Sequence, residues 1–203
     1  MIAIIDYGMG NLRSVQAGFD FIEVEAFITD DPEKIKEADG VILPGVGAFR
    51  DAISRLEDTG LGDAFRKAVE SGKPCLGICL GLQLLFSESE EGGIYQGLDI
   101  IPGRVVRFSN QLKVPHMGWN QIDLKKPDAP IFKDIPDGSY MYFVHSYYVK
   151  PDDDSVIAAT TEYGINFTSI IAKDNLYATQ FHPEKSQKIG LRILRNFGEL
   201  VRG

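Results

Sequence analysis

Three short stretches of this 203-residue chain hold the residue types that acyl chemistry needs. The sharpest is Gly77-Ile78-Cys79-Leu80-Gly81. It lies between a predicted strand, Cys75 to Ile78, and a predicted helix, Leu80 to Phe86. A nucleophile bracketed by glycines at a strand-to-helix turn reads as a nucleophile elbow, because the tight turn needs small flanking residues and projects the side chain from the edge of the sheet. A helix opening at Leu80 aims free N–H groups and a positive dipole end at the thiol, and both favour thiolate. Cys75, in mid-strand, reads as a buried structural thiol.

A thiolate that attacks a carbonyl needs a base, and the base needs an orienter. The chain has three histidines, His116, His145 and His182. His182-Pro183-Glu184 ends the last predicted strand. Pro183 biases His182 toward an extended backbone, and residues two apart in an extended chain share a face. Glu184 can then hold the His182 ring. His116 and His145 stay open as alternative bases, while the three histidines lack the close spacing of a metal site. The third stretch is Pro44-Gly45-Val46-Gly47, which ends another predicted strand. Its glycines let backbone approach a substrate. An N–H from Val46 or Gly47, together with that of Leu80, would form an oxyanion hole.

The elements that must position these groups alternate in the first half of the chain. Ile2 to Ile5, Val24 to Thr29 and Val41 to Leu43 read as strands. Leu12, Val15, Phe19 and Ile22 give helical spacing over 11–22, and further helices are expected over 48–56 and 61–71. Strand and helix taking turns predicts a parallel sheet covered on both faces, with ligands bound beyond the carboxyl ends of its strands. The second half reads as strands at Arg104 to Phe108, Gln121 to Leu124, Tyr140 to Tyr148, Val156 to Thr161, Thr168 to Ala172 and Leu176 to Phe181, then a helix over about 187–201. Glu88 to Glu91 and Asp152 to Asp154 read as solvated loops. The expectation is one α/β domain over residues 1–203: a central, mostly parallel sheet flanked by helices, with an antiparallel extension.

Composition narrows the function classes. Twenty-one basic against 29 acidic residues give a net charge of -8, a poor surface for phosphate backbones. No 18-residue apolar run suggests a membrane span, and Met1 to Asp6 lacks the basic start of a signal peptide. Two cysteines exclude a disulfide scaffold. The expected location is cytoplasmic, and no metal or cofactor is called for.

The Cys, His and Glu in that chain order resemble the triad of the class I glutamine amidotransferases. The resemblance narrows through Ile5 to Leu12, Pro44 to Phe49, Gly77 to Phe86, Pro115 to Asn120, Tyr142 to Tyr147 and Phe181 to Ser186, which look like the glutaminase subunits of imidazole glycerol phosphate synthase. It runs over the whole chain. Leu82 stands where a Met is common, a packing change. The resemblance implies hydrolysis of L-glutamine to glutamate and ammonia. It also implies a separate (β/α)8-barrel cyclase subunit as heterodimer partner, which takes the ammonia to make imidazole glycerol phosphate and a purine precursor in histidine biosynthesis. It further implies that Gly47, Gln83, Glu91 and backbone at Ser146 and Tyr147 hold glutamine, and that Asn11, His116, Met117, Trp119, Asn120, Tyr142, His145 and Lys185 face the partner. A glutaminase serving another synthase and a catalytically idle scaffold subunit are the other readings.

Overall fold

The first strand, β1 (Ile2–Ile5), is buried at every position because both faces of the sheet are covered. Ile2 and Ile4 join one apolar core, and Ala3 and Ile5 join the other. The computed structural model describes residues 1–203. After β1 come α1 (Leu12–Phe21), β2 (Ala26–Thr29), α2 (Pro32–Glu37), β3 (Gly40–Gly45), α3 (Phe49–Thr59), α4 (Leu61–Glu70), β4 (Cys75–Cys79) and α5 (Leu80–Leu84). The second half holds β5 (Phe86–Ser89), β6 (Tyr95–Gln96), β7 (Ile101–Arg107), β8 (His116–Gln121), β9 (Asp123–Leu124), β10 (Tyr140–His145), β11 (Tyr147–Pro151), β12 (Ile157–Glu162), β13 (Asn166–Lys173), β14 (Leu176–Thr179) and α6 (Gln187–Arg202).

Twelve strands form one sheet along the path β2-β1-β3-β4-β14-β13-β11-β7-β5-β6, with β12 attached beside β13 and β9 beside β12. From β2 to β14 the neighbours run parallel, and the sheet turns antiparallel at β13. One face is covered by α1 and α6 through Val15, Phe19, Ile193, Leu194 and Phe197. The other is covered by α2 to α5 through Ile35, Phe49, Leu56, Phe65, Leu82 and their neighbours. The expected α/β sheet with its antiparallel extension is therefore present.

Several details depart from the expectation. The helix after Cys79 stops at Leu84, and Phe86–Ser89 pairs with β7 as a strand rather than lying in a solvated loop. The short helix α2 was not read from the sequence; Asp31 caps it by accepting a hydrogen bond from the Glu33 N–H, with Pro32 in its first turn. Tyr140 to Tyr148 is two strands, not one. The chain breaks at Ser146, and its halves join different sheets: β10 pairs only with β8, as a separate two-stranded ribbon, whereas β11 enters the main sheet.

Candidate active site

The nucleophile candidate sits where β4 gives way to α5. Cys79 has φ 57 and ψ -110, a conformation that a non-glycine residue adopts only when its surroundings enforce it. The flanking glycines permit that enforcement. A Cβ on Gly81 would lie 1.9 Å from the Leu43 carbonyl oxygen, and one on Gly77 would lie 3.0 Å from Ala178 Cβ. Helix α5 thus rests directly on β3, and β4 on β14. The two thiols part company here. Burial pushes the Cys75 thiol up to about 12, with Lys73 opposing weakly, so Cys75 stays protonated and inert.

His182 enters from the strand next to β4. Thr179 pairs with Ile78 in parallel register, so the residues just beyond them emerge at the same sheet edge. The segment is clamped by the ribbon: the His182 N–H donates to the Tyr142 carbonyl at 3.0 Å, and Ser186 Oγ accepts from the Tyr142 N–H at 2.9 Å. His182 Nδ1 lies 2.8 Å from Glu184 Oε1, with the carboxylate side chain 0% exposed. Burial alone would lower the His182 pKa. Hydrogen bonds to Cys79 and Glu184, and the charges of both, overturn that and lift it to about 10. An imidazolium beside a sulfur and a carboxylate is the arrangement that activates a thiol.

A cavity of about 370 Å3 opens over these groups. Val46, Gly47, Cys79, Leu80, Gln83, Glu91, Ser146, Tyr147 and His182 all line it, together with Pro115, Val144 and His145. Gly47 has φ +97, which only glycine adopts cheaply. The first N–H groups of α5, beginning at Leu80, have no intrahelical acceptor and lie beside the nucleophile. Glu91 is more than a loop charge: its Oε2 accepts the Phe49 N–H at 3.0 Å at the start of α3. Gln83 is buried, and its Nε2 donates to the Tyr147 carbonyl at 3.2 Å and to Gln180 Oε1 at 3.1 Å. Gln180 is wholly buried and was missed in the sequence, where Gln180-Phe181 reads only as the end of a strand. Tyr7 was also missed. Its hydroxyl is buried without a partner beside Gly45, and burial, then the Cys79 charge, holds it protonated.

The residues expected to face a partner divide into two sets. Met117 and Trp119 are exposed on the ribbon, Trp119 lying edge-to-face with Tyr142 at 6.0 Å, and Lys185 is exposed at the turn after His182. Asn11 is half-buried at the start of α1, where its Oδ1 accepts from Ser14 Oγ at 2.8 Å. His116 and His145 are not surface groups: they are only 4% and 6% exposed. Alternation along β8 and β10 turns His116, Asn120 and His145 to the inner face of the ribbon and Met117, Trp119 and Tyr142 to the outer one. The three histidines do not converge on a metal-type cluster.

Burial holds His116 down to about 4. It holds His145 down to about 3, against the pull of the Tyr147 carbonyl and with the help of His116 and His182. Below about pH 6.5 the unfolded chain binds protons that these folded histidines refuse, so stability is expected to fall from about pH 6.5 toward pH 4. His182 works in the opposite sense. Its contribution is full below about 6.5 and is lost as pH rises through about 10. Melting midpoints measured across pH check both limbs, and His116→Phe should make the acid limb shallower.

The comparisons with known proteins follow the same geometry. A family model described as "Glutamine amidotransferase class-I" matches residues 3–200. The chain is 60% identical to "Imidazole glycerol phosphate synthase subunit HisH" of Syntrophotalea carbinolica, covering 98% of this chain and 100% of that one. It is 56% identical to the subunit of the same name from Geobacter sulfurreducens, covering 98% of each. Among solved structures, one titled "Crystal structure of glutamine amidotransferase" superposes with a TM-score of 0.78 at 18% identity over 100% of both chains. PurLQS from Thermotoga maritima superposes with a TM-score of 0.74 at 18% identity, covering 97% of this chain and 96% of that one. At that identity the structures speak for the fold. Elbow, sheet order and sequence identity agree, and the chain belongs to the class I glutamine amidotransferase family.

Proposed function

We propose that this chain is the glutaminase subunit of an imidazole glycerol phosphate synthase, acting in histidine biosynthesis. The observation that carries the chemistry is the meeting of Cys79 and His182 at one cavity, with the buried Glu184 carboxylate 2.8 Å from His182 Nδ1. In this reading the Cys79 thiolate attacks the side-chain amide carbon of glutamine. The oxyanion that forms is met by the Leu80 N–H and by an N–H at Val46 or Gly47. His182 gives its proton to the departing ammonia, leaving a γ-glutamyl thioester, then takes a proton from the water that hydrolyses it. Glu184 keeps the ring oriented throughout. Gln83, Glu91, Gly47 and the backbone at Ser146 and Tyr147 hold the amino-acid end of the substrate. Glu91 carries the charge that suits an α-ammonium.

The names of the relatives support a partner, and the chemistry explains why one is needed. Ammonia released into water protonates, so its acceptor must lie close. We infer a separate (β/α)8-barrel cyclase subunit that docks over the outer face of the ribbon and Lys185, forming a heterodimer. No helix is long and apolar enough to cross a membrane, and a cytoplasmic location fits a biosynthetic role. The test is glutamate release by the chain mixed with its cyclase, read together with amide hydrogen exchange. Glutamine should be hydrolysed, residues 116–120 should exchange more slowly in the complex, and Lys185→Ala should weaken association. Unchanged exchange and unchanged association would place the partner elsewhere.

A further inference from the structure

We propose that Gln180 is a positioning residue for the nucleophile, presenting a locked amide N–H to the Cys79 sulfur. The inference rests on the reading of Cys79 as nucleophile. Gln180 is 0% exposed, and its Nε2 lies 3.9 Å from Cys79 Sγ. The distance alone does not say which end of the carboxamide faces the sulfur; the hydrogen-bond network does. The Tyr147 carbonyl can only accept, so the Gln83 atom 3.2 Å from it is the amide nitrogen. That same nitrogen is 3.1 Å from the Gln180 carboxamide, which must accept there with its oxygen. The Gln180 NH2 is then fixed toward the thiol.

The lock extends past Tyr147. His145 Nδ1 is 2.8 Å from the same carbonyl and must donate to it, so the neutral ring has its lone pair on Nε2. That lone pair accepts from His116 Nδ1 at 2.9 Å. His116 Nε2 in turn accepts from Asn120 Nδ2 at 3.2 Å, whose other hydrogen goes to the Glu162 carbonyl at 2.8 Å. Each proton from Asn120 to Cys79 has one possible place. The chain holds only while both histidines stay neutral, as their burial ensures. It therefore also explains why the His145 imidazole lines the cavity without serving as a base, since both of its nitrogens are taken.

A donor fixed on a sulfur favours the charged thiolate over the thiol and restrains its direction of attack. A methionine at position 180 keeps the volume and removes the donor. The experiment follows alkylation of Cys79 by iodoacetamide against pH in the full-length chain, with glutamine kinetics measured in the presence of the cyclase. In Gln180→Met the alkylation profile should move up by about one pH unit and kcat should fall about tenfold, the loss expected for one hydrogen bond to a charged group, with KM little changed. Gln180→Glu should move the profile further, because a carboxylate repels the thiolate. A Gln180→Met profile that superposes on the wild type overturns the proposal. So does a lowered melting temperature with the profile and kcat unmoved, since that is a packing role alone. Cys79→Ser separates the two readings: if it still turns over glutamine, the nucleophile assignment fails, whereas an inactive Cys79→Ser beside an unaltered Gln180→Met removes only the role of Gln180.

Discussion

Cys79→Ser is expected to abolish glutamine-dependent synthesis by the complex while leaving synthesis from free ammonia. A serine hydroxyl is a far weaker nucleophile in a site arranged for a thiolate, and the proposed cyclase can take its nitrogen from ammonia supplied in solution. His182→Ala should lower glutamine turnover by about 10²–10⁴-fold, the usual loss when general acid–base catalysis is removed. Glu184→Gln should be milder, since an amide oxygen still accepts the Nδ1 proton but contributes no charge. Single-turnover thioester formation and steady-state glutamate release measure all three. Because both nitrogens of His145 are occupied, by His116 and by the Tyr147 carbonyl, His145→Ala should perturb the cavity wall without removing the base. If it alone stopped thioester formation, His182 would not be the base.

The second large effect concerns the backbone beneath the nucleophile. Gly81→Ala would set a methyl 1.9 Å from the Leu43 carbonyl oxygen, and neither the β3 backbone nor the first turn of α5 is free to yield. The cost should reach about 3 kcal/mol or more, at the upper end for overpacking. Gly60→Ala is the control. Gly60 has φ +71 but open space around it, so only the left-handed backbone is penalised, by roughly 1–2 kcal/mol. Urea unfolding of both variants gives the comparison. If Gly81→Ala cost no more than Gly60→Ala, the close approach of α5 to β3 would be wrong.

Sequence pattern was informative where one local rule decided the structure. The Gly77 and Gly81 bracket marks Cys79 because a side chain at Gly81 would strike the Leu43 carbonyl and one at Gly77 would crowd Ala178, and Glu184 falls beside His182 because two residues of extended chain place it there. The pattern was silent where a decision was tertiary. Residues 140–148 are β-rich without interruption, and nothing local says that the chain changes sheets at Ser146. Glu88 and Glu91 look like solvent charges, yet one lies in a paired strand and the other caps α3. Helix α2 has six residues and one fully buried apolar side chain, Ile35, too little for a periodic signal. Gln180 acquires meaning only through Gln83, 97 positions away.

The placement of β14 has a consequence for biogenesis. It is the last strand to leave the ribosome, yet it sits at the middle of the sheet, with Leu176 opposite Cys75. A growing chain has already made β4 and the elbow about a hundred residues earlier, but has no strand to close that edge and no His182 to meet the thiol. Pairings this distant form late, and the open edge of β4 is the surface on which a stalled chain would associate wrongly. If Cys79 and His182 work as proposed, activity is withheld from every chain that ends before His182: such a fragment carries the sulfur but cannot spend glutamine.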